Sequence, residues 1–401
     1  MKITAIETIR LEEFANLIWL NVKTDKGIIG LGETFFSPAS VEAWLHETAA
    51  PLLIGEDPLR IEYLNRKLQT YVGFRGSGTE MRGLSAVDIA LWDIWGRATN
   101  QPLNQLFGGR TRDSIRTYNT CAGYRYIRTN AGQDSRNWGT NSQAGPYEDL
   151  DAFLNRADEL AEDLLSQGIT AMKIWPLDPY AEASNGGWIS ASDLRQGLEP
   201  FEKIRRAIGD KIEIMLECHG LWDLPTSLRI AERVRDFDPL WVEDPIRMDS
   251  ASVLAEYRAK SGVRVTASET IAGVWGFKDL IDAKAVDYVM LDLGWIGGPT
   301  QAKKAATLAE ANHLPIAPHD CTGPVVYTAS THLSVSAPNA VIQESVRAFY
   351  TGWYTEVATA LPLVENGFVR PPEGPGLGMK LLPDIDKRPD ARIRTTEQNA
   401  L

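Results

Sequence analysis

The sequence is poor in cysteine and has no long apolar run. Its 401 residues include three cysteines, Cys121, Cys218 and Cys321, which are too few and too scattered for a disulfide framework. No apolar stretch approaches the roughly 20 residues that span a bilayer, and residues 1–4 do not begin a signal-peptide pattern. These absences predict no membrane association and a reducing, cytoplasmic location.

The sequence also contains fewer basic than acidic residues. Lys and Arg number 41 against 53 Asp and Glu, so the formal net charge is −12. A chain this acidic is not expected to bind nucleic acid or an anionic membrane surface, and a small-molecule partner is the better expectation. Hydrophobic residues (44%) and charged residues (23%) are in ordinary proportion for a globular protein, and the length favours two domains.

The first 115 residues have the pattern of an α+β domain. Apolar and polar positions alternate over residues 3–11 and 17–22, and Asp25-Lys26-Gly27 is a hairpin signal. Residues 41–110 then change to helical spacing, most clearly over residues 84–93. We therefore predict an N-terminal α+β domain over residues 1–115.

Residues 116–360 alternate short apolar strands with longer amphipathic helices. Eight such units predict a (β/α) barrel, whose active-site groups sit at the C-terminal ends of the strands. Residues 129–149 are predicted to form a long loop near the mouth of this barrel. Residues 361–401 are predicted to return over the first domain as a C-terminal segment. The predicted strands lie near residues 116–121, 171–175, 213–217, 240–243, 264–268, 288–293, 315–318 and 341–344.

Three glutamates end three consecutive predicted strands at equal spacing. Glu243 lies 26 residues after Glu217 and 26 residues before Glu269. Carboxylates at the same end of adjacent strands converge and repel one another unless a cation lies between them. Oxygen-only ligation favours a hard cation, of which Mg²⁺ is the common choice. The alternative is that each acid simply ends its strand in a solvated loop.

A second set of candidates lies on neighbouring strands. Asp292 ends the predicted sixth strand and His319 the seventh, so the carboxylate is expected to orient the imidazole and stabilise its cation. Lys173 stands inside the hydrophobic run of the second strand, where a lysine is unfavourable unless it is paired or catalytic. The alternatives are a structural histidine and a lysine whose amine reaches solvent.

With these residues the sequence resembles the enolase superfamily, and within it the mandelate racemase subgroup, over nearly the whole chain. The shared motifs are Ala86-Val87-Asp88-Ile89-Ala90-Leu91-Trp92-Asp93, Pro102-Leu103, Leu106-Phe107-Gly108-Gly109, Trp241-Val242-Glu243-Asp244-Pro245 and Gly376-Leu377-Gly378.

The resemblance implies a (β/α)7β-type modified TIM barrel under an N-terminal capping domain that the C-terminal tail completes. It also implies Mg²⁺ held by the three glutamates, an Asp292–His319 dyad as base, and Glu344 bonded to the substrate carboxylate. Members of the superfamily abstract a proton α to a carboxylate and stabilise the enediolate on the metal. A symmetric homo-oligomer, from dimer to octamer, is expected.

Two departures from the family pattern favour one reaction. The second strand of the family often carries Lys-x-Lys, but here Trp175 takes the place of the second lysine and cannot move a proton. His219 follows Glu217 by two residues and should share its side of the strand. This pattern is similar to the Asp-x-His of sugar-acid dehydratases, in which the histidine protonates the departing 3-hydroxyl. His219 as a loop residue, or as a partner of a substrate hydroxyl, is the alternative.

We therefore predict dehydration of an aldonate or aldarate, with R configuration at C2, to a 2-keto-3-deoxy acid. The alternatives are a one-base cycloisomerase, an epimerase or racemase, and a sugar-acid-binding barrel without catalysis. Capping-domain loops at residues 33–40 and 71–77 are expected to cover the site, with Arg75 a weak candidate for the far end of the substrate. Four tryptophans near strand ends are candidates for stacking on a sugar chain: Trp175, Trp222, Trp295 and Trp353.

Overall fold

The computed structural model describes residues 1–69, 78–128, 130–140 and 144–397. Within these ranges, no helix is long and apolar enough to cross a membrane. The N-terminal part pairs three antiparallel strands, with a fourth strand added from the far end of the chain. The three strands are β1 (Ile3–Leu11), β2 (Leu17–Thr24) and β3 (Ile29–Phe35).

A long buried helix joins this sheet to the rest of the molecule. This helix, α4 (Thr79–Thr99), approaches β3 so closely that a Cβ atom at Gly32 would lie 1.9 Å from the carbonyl oxygen of Ala86, so only glycine fits there. The N-terminal helices are α1 (Pro38–Trp44), which continues as a π-helical turn (Leu45–Ala49), α2 (Ala50–Leu53), α3 (Ile61–Leu68), α4 (Thr79–Thr99) and α5 (Leu103–Leu106).

The aspartates of the α4 motif hold the parts of the chain together. Asp88 accepts hydrogen bonds from Asn65 and from the backbone N–H of Thr300 at 2.8 Å each. Asp93 accepts N–H groups of Leu31 and Leu377, both at 2.9 Å. One helix therefore bonds the capping sheet, the barrel and the C-terminal segment at once, which gives a physical reason for the motif.

The central part of the chain closes into a barrel of eight strand positions. Six strands follow in parallel, the seventh position is the single bridge residue Ile316, and the eighth strand pairs with the first. The strands are β4 (Ile115–Thr120), β5 (Ala171–Ile174), β6 (Glu213–Glu217), β7 (Val242–Glu243), β8 (Val265–Ala267), β9 (Tyr288–Val289) and β10 (Gln343–Ser345).

Helices surround the barrel, and the predicted fold class is confirmed. They are α6 (Asp149–Asn155), α7 (Ala157–Ser166), α8 (Asp178–Ser184), α9 (Ala191–Ile208), α10 (Leu224–Val234), α11 (Ala251–Ser261), α12 (Gly273–Asp282), α13 (Gly298–Ala311), α14 (Pro324–Ser336) and α15 (Arg347–Tyr350). Short 3₁₀ turns cover Ser135–Asn137, Arg235–Phe237, Trp353–Glu356 and Ile385–Lys387.

The C-terminal segment contacts both parts of the molecule. A hairpin of β11 (Leu363–Glu365) and β12 (Phe368–Arg370) joins β4 of the barrel. The last strand, β13 (Ala391–Glu397), pairs with β1 and so extends the capping sheet. The division of the chain at residues 115 and 360 stays a prediction.

His332 on α14 lies between two segments that only the fold brings together. Its Nε2 lies 3.2 Å from the carbonyl oxygen of Leu377, which can only accept, so Nε2 carries the hydrogen. Its Nδ1 accepts the backbone N–H of Asn104 at 3.3 Å. The ring is therefore neutral in the folded protein, and burial lowers the pKa of His332 to about 4.

This histidine should make stability depend on pH. The unfolded pKa of about 6.5 exceeds the folded one, so the contribution of His332 is complete above pH 6.5 and is lost as pH falls towards 4. The destabilisation caused by His332→Gln should shrink by about 2 kcal/mol between pH 7.5 and pH 5.0. Urea unfolding of both proteins at the two pH values measures it. An equal destabilisation at both would contradict the assigned protonation state.

Candidate active site

Three glutamates meet at the C-terminal ends of adjacent barrel strands. Glu217 ends β6, Glu243 ends β7 beside it in register, and Glu269 follows β8 by two residues. Each carboxylate is buried and offers an oxygen within 4.8 Å of the other two. The equal spacing in the sequence therefore corresponds to a convergent cluster, which we call the carboxylate ring.

The two carboxylate oxygens of Glu217 have different surroundings. Its Oε1 accepts the backbone N–H groups of Cys218 (2.9 Å) and His219 (2.6 Å). Its Oε2 is buried without a hydrogen-bond partner among the described residues and lies 3.5 Å from Nζ of Lys173. An orphaned buried carboxylate oxygen is unfavourable, and a metal ion would satisfy it.

Lys173 balances part of this negative charge. It is buried on β5, with Nζ 2.5 Å from Oε1 of Glu243 and 2.9 Å from Oε1 of Glu344. Burial alone would lower the pKa of Lys173, but the carboxylates of Glu243 and Glu344 outweigh burial and raise it well above its usual value. Lys173 is therefore a fixed cation and not a base poised near neutrality.

Glu344 is held on three sides. Its Oε1 accepts from Thr120 and pairs with Lys173, and its Oε2 accepts the backbone N–H of Asp320 at 2.9 Å. Burial raises the pKa of Glu344, but Lys173 and His319 overcome this and keep it below the usual value. Glu344 is therefore a rigid, ionised group in the middle of β10.

Asp292 and His319 form the contact that their spacing predicts. Nδ1 of His319 lies 2.7 Å from Oδ2 of Asp292, whose Oδ1 accepts the N–H of Gly294 at 2.6 Å. Nε2 of His319 lies 2.9 Å from Oε2 of Glu269, so this nitrogen faces the carboxylate ring. Burial would lower the pKa of His319, but Glu269, Glu344 and the bond to Asp292 raise it well above its usual value.

His219 has a carboxylate partner that the sequence did not suggest. Nδ1 of His219 lies 2.8 Å from Oδ2 of the buried Asp178, the first residue of α8. Burial would lower the pKa of His219, but Asp178 and Glu217 raise it to about 10. The only sequence signal for Asp178 is an acid shortly after the end of β5.

The two histidine–aspartate pairs lie on opposite sides of the barrel. His219 follows the third strand position, β6, and His319 follows the seventh, at Ile316. Positions four apart in a closed ring of eight face each other across it. The carboxylate ring, on the third, fourth and fifth positions, lies between the two pairs at the mouth.

Buried negative charge exceeds buried positive charge at this mouth. Among the described residues, positive charge at the site can come from the buried Lys173 and, when their rings are protonated, from the buried His319 and from His219, whose side chain is 15% exposed. The buried carboxylates of the site are those of Asp178, Glu217, Glu243, Asp244, Glu269, Asp292, Asp320 and Glu344. A divalent cation would offset this imbalance, and an all-oxygen ligand set suits Mg²⁺.

The capping domain contributes two charged residues, neither of which the sequence analysis assigned. Arg82, near the start of α4, stacks on the ring of Trp295 with its guanidinium carbon 4.1 Å from the ring centroid and donates to the carbonyl of Phe35. Trp295 in turn lies 5.6 Å from the ring of His319. Arg82 therefore covers the His319 side of the mouth.

Residues 33–40 were expected to form a loop over the site, but Glu33 lies in strand β3. Its buried carboxylate accepts from the indole N–H of Trp19 (2.6 Å) and from the N–H groups of Val325 (3.1 Å) and Val326 (3.0 Å), in the first turn of α14. Burial raises the pKa of Glu33 to about 8, although these bonds oppose the shift. Glu33 thus joins the capping domain to the helix that follows His319.

Arg75 and the loop at residues 71–77 lie outside the described residues.

The four candidate tryptophans are all nearly fully buried. Trp353 packs against Phe14 and Phe349 and serves the core. Trp175 packs on Phe153 and presents its edge to the His219 ring at 6.0 Å. The indole N–H groups of Trp175, Trp222 and Trp295 are buried without a hydrogen-bond partner among the described residues.

Comparison with known proteins agrees with this architecture. Residues 156–385 match the family described as enolase C-terminal domain-like, and residues 3–108 match the mandelate racemase / muconate lactonizing enzyme N-terminal domain. The chain therefore belongs to the enolase superfamily and, within it, to the mandelate racemase / muconate lactonizing enzyme family.

Three relatives illustrate the similarity. The chain is 30% identical to a D-galactonate dehydratase of Ralstonia pickettii, over 96% of this chain and 93% of that protein. It is 26% identical to a D-xylonate dehydratase of Haloferax volcanii, over 96% and 87% respectively. The crystal structure of an enolase of the mandelate racemase subgroup from Agrobacterium tumefaciens is 50% identical, covers 100% of both chains and superposes with a TM-score of 0.89.

The carboxylate ring predicts a measurable stabilisation by divalent cations. Mg²⁺ at 100 times its dissociation constant should stabilise the wild-type protein by about 2.7 kcal/mol, seen as a higher midpoint of thermal unfolding. Glu217→Gln should lose most of this shift because it removes an anionic ligand. Glu213→Gln is the matched control, since Glu213 begins the same strand and pairs with Arg116 away from the ring. Equal shifts in wild type and Glu217→Gln would contradict the site.

Proposed function

We propose that this protein is a Mg²⁺-dependent acid-sugar dehydratase, a hydro-lyase that converts a 2,3-dihydroxy carboxylate to a 2-keto-3-deoxy acid. The observation that carries the proposal is the pair of histidine–aspartate dyads on opposite sides of the carboxylate ring. Loss of water across C2 and C3 requires a base for the C2 proton and an acid for the leaving hydroxide. The names of the Ralstonia and Haloferax relatives support the same reaction class.

The cation has a definite place in this proposal. Glu217, Glu243 and Glu269 would hold it, each through a carboxylate oxygen. When bound, a divalent cation supplies electrostatic stabilisation for the charge that develops on the substrate carboxylate as C2 loses its proton. Lys173 borders the same space, and we propose that it donates to an oxygen of the substrate carboxylate, while the ionised Glu344 holds the lysine in position through its Oε1.

His319 is the proposed base. Asp292 holds its Nδ1, so Nε2, which faces the carboxylate ring, is the nitrogen that would take the C2 proton. Glu269 and Glu344 raise the pKa of His319, and a cation held by the carboxylate ring would oppose this shift, so that the ring can be neutral before it takes the proton. Asp292 stays ionised and stabilises the imidazolium that forms. Following the facial preference implied by family membership, a base on this side favours R configuration at C2.

His219 is the proposed acid. As the C3–O bond breaks, the electron pair leaves with the oxygen, and a proton from His219 converts the leaving hydroxide to water. The C2–C3 double bond gives an enol, which becomes the 2-keto acid by losing the proton of its C2 hydroxyl and taking a proton at C3. The unpartnered indole N–H groups of Trp175, Trp222 and Trp295 are available donors for substrate hydroxyls.

Epimerisation at C2 is the second candidate. Moving a proton from one face of C2 to the other also needs a carrier on each side, and His219 lies opposite His319. The two reactions differ in whether His219 reaches C2 or the oxygen on C3. Trp175 in place of a second lysine carries no proton and favours dehydration.

The cellular location, the oligomeric state and the partner of the protein are also part of the proposal. The three cysteines are free, as a reducing cytoplasm would keep them. We propose a cytoplasmic homo-oligomer, between dimer and octamer, acting on a small-molecule acid sugar.

A substrate screen tests the function. A stereochemically complete set of aldonic and aldaric acids is incubated with the protein and Mg²⁺ in D₂O and followed by NMR. We expect a 2-keto-3-deoxy product from an acid with R configuration at C2, and loss of that product in His319→Asn because the base is removed.

The other outcomes of the screen are distinct. Appearance of the C2 epimer without a keto product would favour the epimerase. Unchanged dehydration by His319→Asn would contradict the assigned base. Neither product nor deuterium exchange at C2 across the whole set would contradict the proposed function.

A further inference from the structure

We propose that Asp178 is a positioning residue that fixes the His219 ring so that its Nε2 delivers the proton to the leaving hydroxyl. The inference rests on the proposed function and assigns to Asp178 a role on the acid side like that of Asp292 on the base side. A fixed His219 ring would also determine which reaction occurs, because the ring would then act at C3 and not at C2.

The contact between the two residues is short and buried. Oδ2 of Asp178 lies 2.8 Å from Nδ1 of His219, and the Asp178 side chain is 6% exposed. The other oxygen, Oδ1, is buried without a hydrogen-bond partner among the described residues. Among the described residues, the Asp178 carboxylate makes its hydrogen bond to His219, so it has little use as a general structural anchor.

The backbone of His219 is also constrained. Its φ of 49° lies in the left-handed region, which a non-glycine residue adopts at a cost, and its N–H donates to Oε1 of Glu217 at 2.6 Å. The edge contact with Trp175 limits the ring from a further side. With Nδ1 bonded to Asp178, Nε2 is the ring nitrogen left to meet a substrate.

The same construction occurs across the barrel mouth. Asp292 holds Nδ1 of His319 at 2.7 Å, and Nε2 of that ring faces the carboxylate ring. In both pairs the aspartate and histidine come from adjacent strand positions, the second and third for Asp178–His219, and the sixth and seventh for Asp292–His319. This parallel indicates that Asp178 acts on proton transfer and not on folding alone.

The proton balance closes without another reactant. His319 gains the proton that C2 loses, and His219 loses the proton that the leaving hydroxide gains. Exchange with solvent returns both rings to their starting states. A misoriented His219 would stop C–O cleavage but would leave proton removal at C2 intact, so the two events should separate in a variant of Asp178.

The experiment measures both events in one NMR tube. With the dehydrated acid sugar in D₂O, the rates of keto-acid formation and of deuterium entry at C2 are followed for wild type, Asp178→Ala and Asp178→Asn. In Asp178→Ala we expect product formation to fall at least about tenfold while C2 exchange stays at or above the wild-type rate, because substrate that has lost its C2 proton but cannot lose its hydroxide takes a proton back at C2. Asp178→Asn, whose carboxamide oxygen can accept the same bond, should recover at least about a third of the wild-type rate.

Two controls isolate the role. Glu182→Gln removes an exposed carboxylate one turn further along the same helix and should leave both rates unchanged. In a His219→Asn background, Asp178→Ala should cause no further loss, because a positioning residue has no effect once the group it positions is gone.

Several results would overturn the assignment. A parallel fall of exchange and product formation in Asp178→Ala would indicate general structural damage, and no fall in either would remove the role. An Asp178→Asn variant no better than Asp178→Ala, or a further loss in the His219→Asn background, would also overturn it. Failure of the proposed function is distinguishable, because the wild-type protein would then form no keto acid at all.

Discussion

The candidate site depends on several carboxylates that lie close together in a buried space, where they repel one another. Parallel strands bring Glu217, Glu243 and Glu269 to the same end of the barrel, and burial strengthens their repulsion. Lys173 and the two histidines offset part of this charge, and a divalent cation would offset more. The site can therefore accept a negatively charged ligand, such as the proposed carboxylate substrate, only when a cation offsets the charge of these carboxylates.

The capping domain is bonded to the barrel next to the catalytic groups. Glu33 accepts N–H groups in the first turn of α14, and Arg82 stacks on Trp295, which borders His319. Asp88 and Asp93 on α4 bond the same domain to α13 and to the C-terminal segment. The geometry of the proposed base therefore depends on the packing between the capping domain and the barrel. Residues 33–36 contact the barrel beside it, through Glu33 and through the ring of Phe36 against Trp295.

Repetition in the sequence made much of this predictable. The equal spacing of three strand-ending glutamates predicted the carboxylate ring, and Asp292 and His319 could be paired because adjacent strands carry them. Asp178, Arg82 and Glu33 could not be assigned in this way. Asp178 also comes from a strand position next to that of its histidine, but it lies in the first turn of α8, four residues after the end of β5, where the sequence alone does not place the side chain. The partners of Glu33 on α14 lie about 290 residues away, and only the docked capping domain brings them together. The α4 motif could be recognised in the sequence, but the hydrogen bonds of Asp88 and Asp93 that explain it could be identified only from the structure.

The proposed mechanism depends on removal of a C2 proton by His319 next to the carboxylate ring. The most direct test uses the 3-deoxy analogue of the dehydrated acid sugar, which keeps the C2 proton but has no hydroxyl to lose. In D₂O with Mg²⁺, NMR should show deuterium entering C2 with the wild-type protein and none with His319→Asn. Exchange that persists in His319→Asn, or its absence in the wild-type protein, would contradict the account.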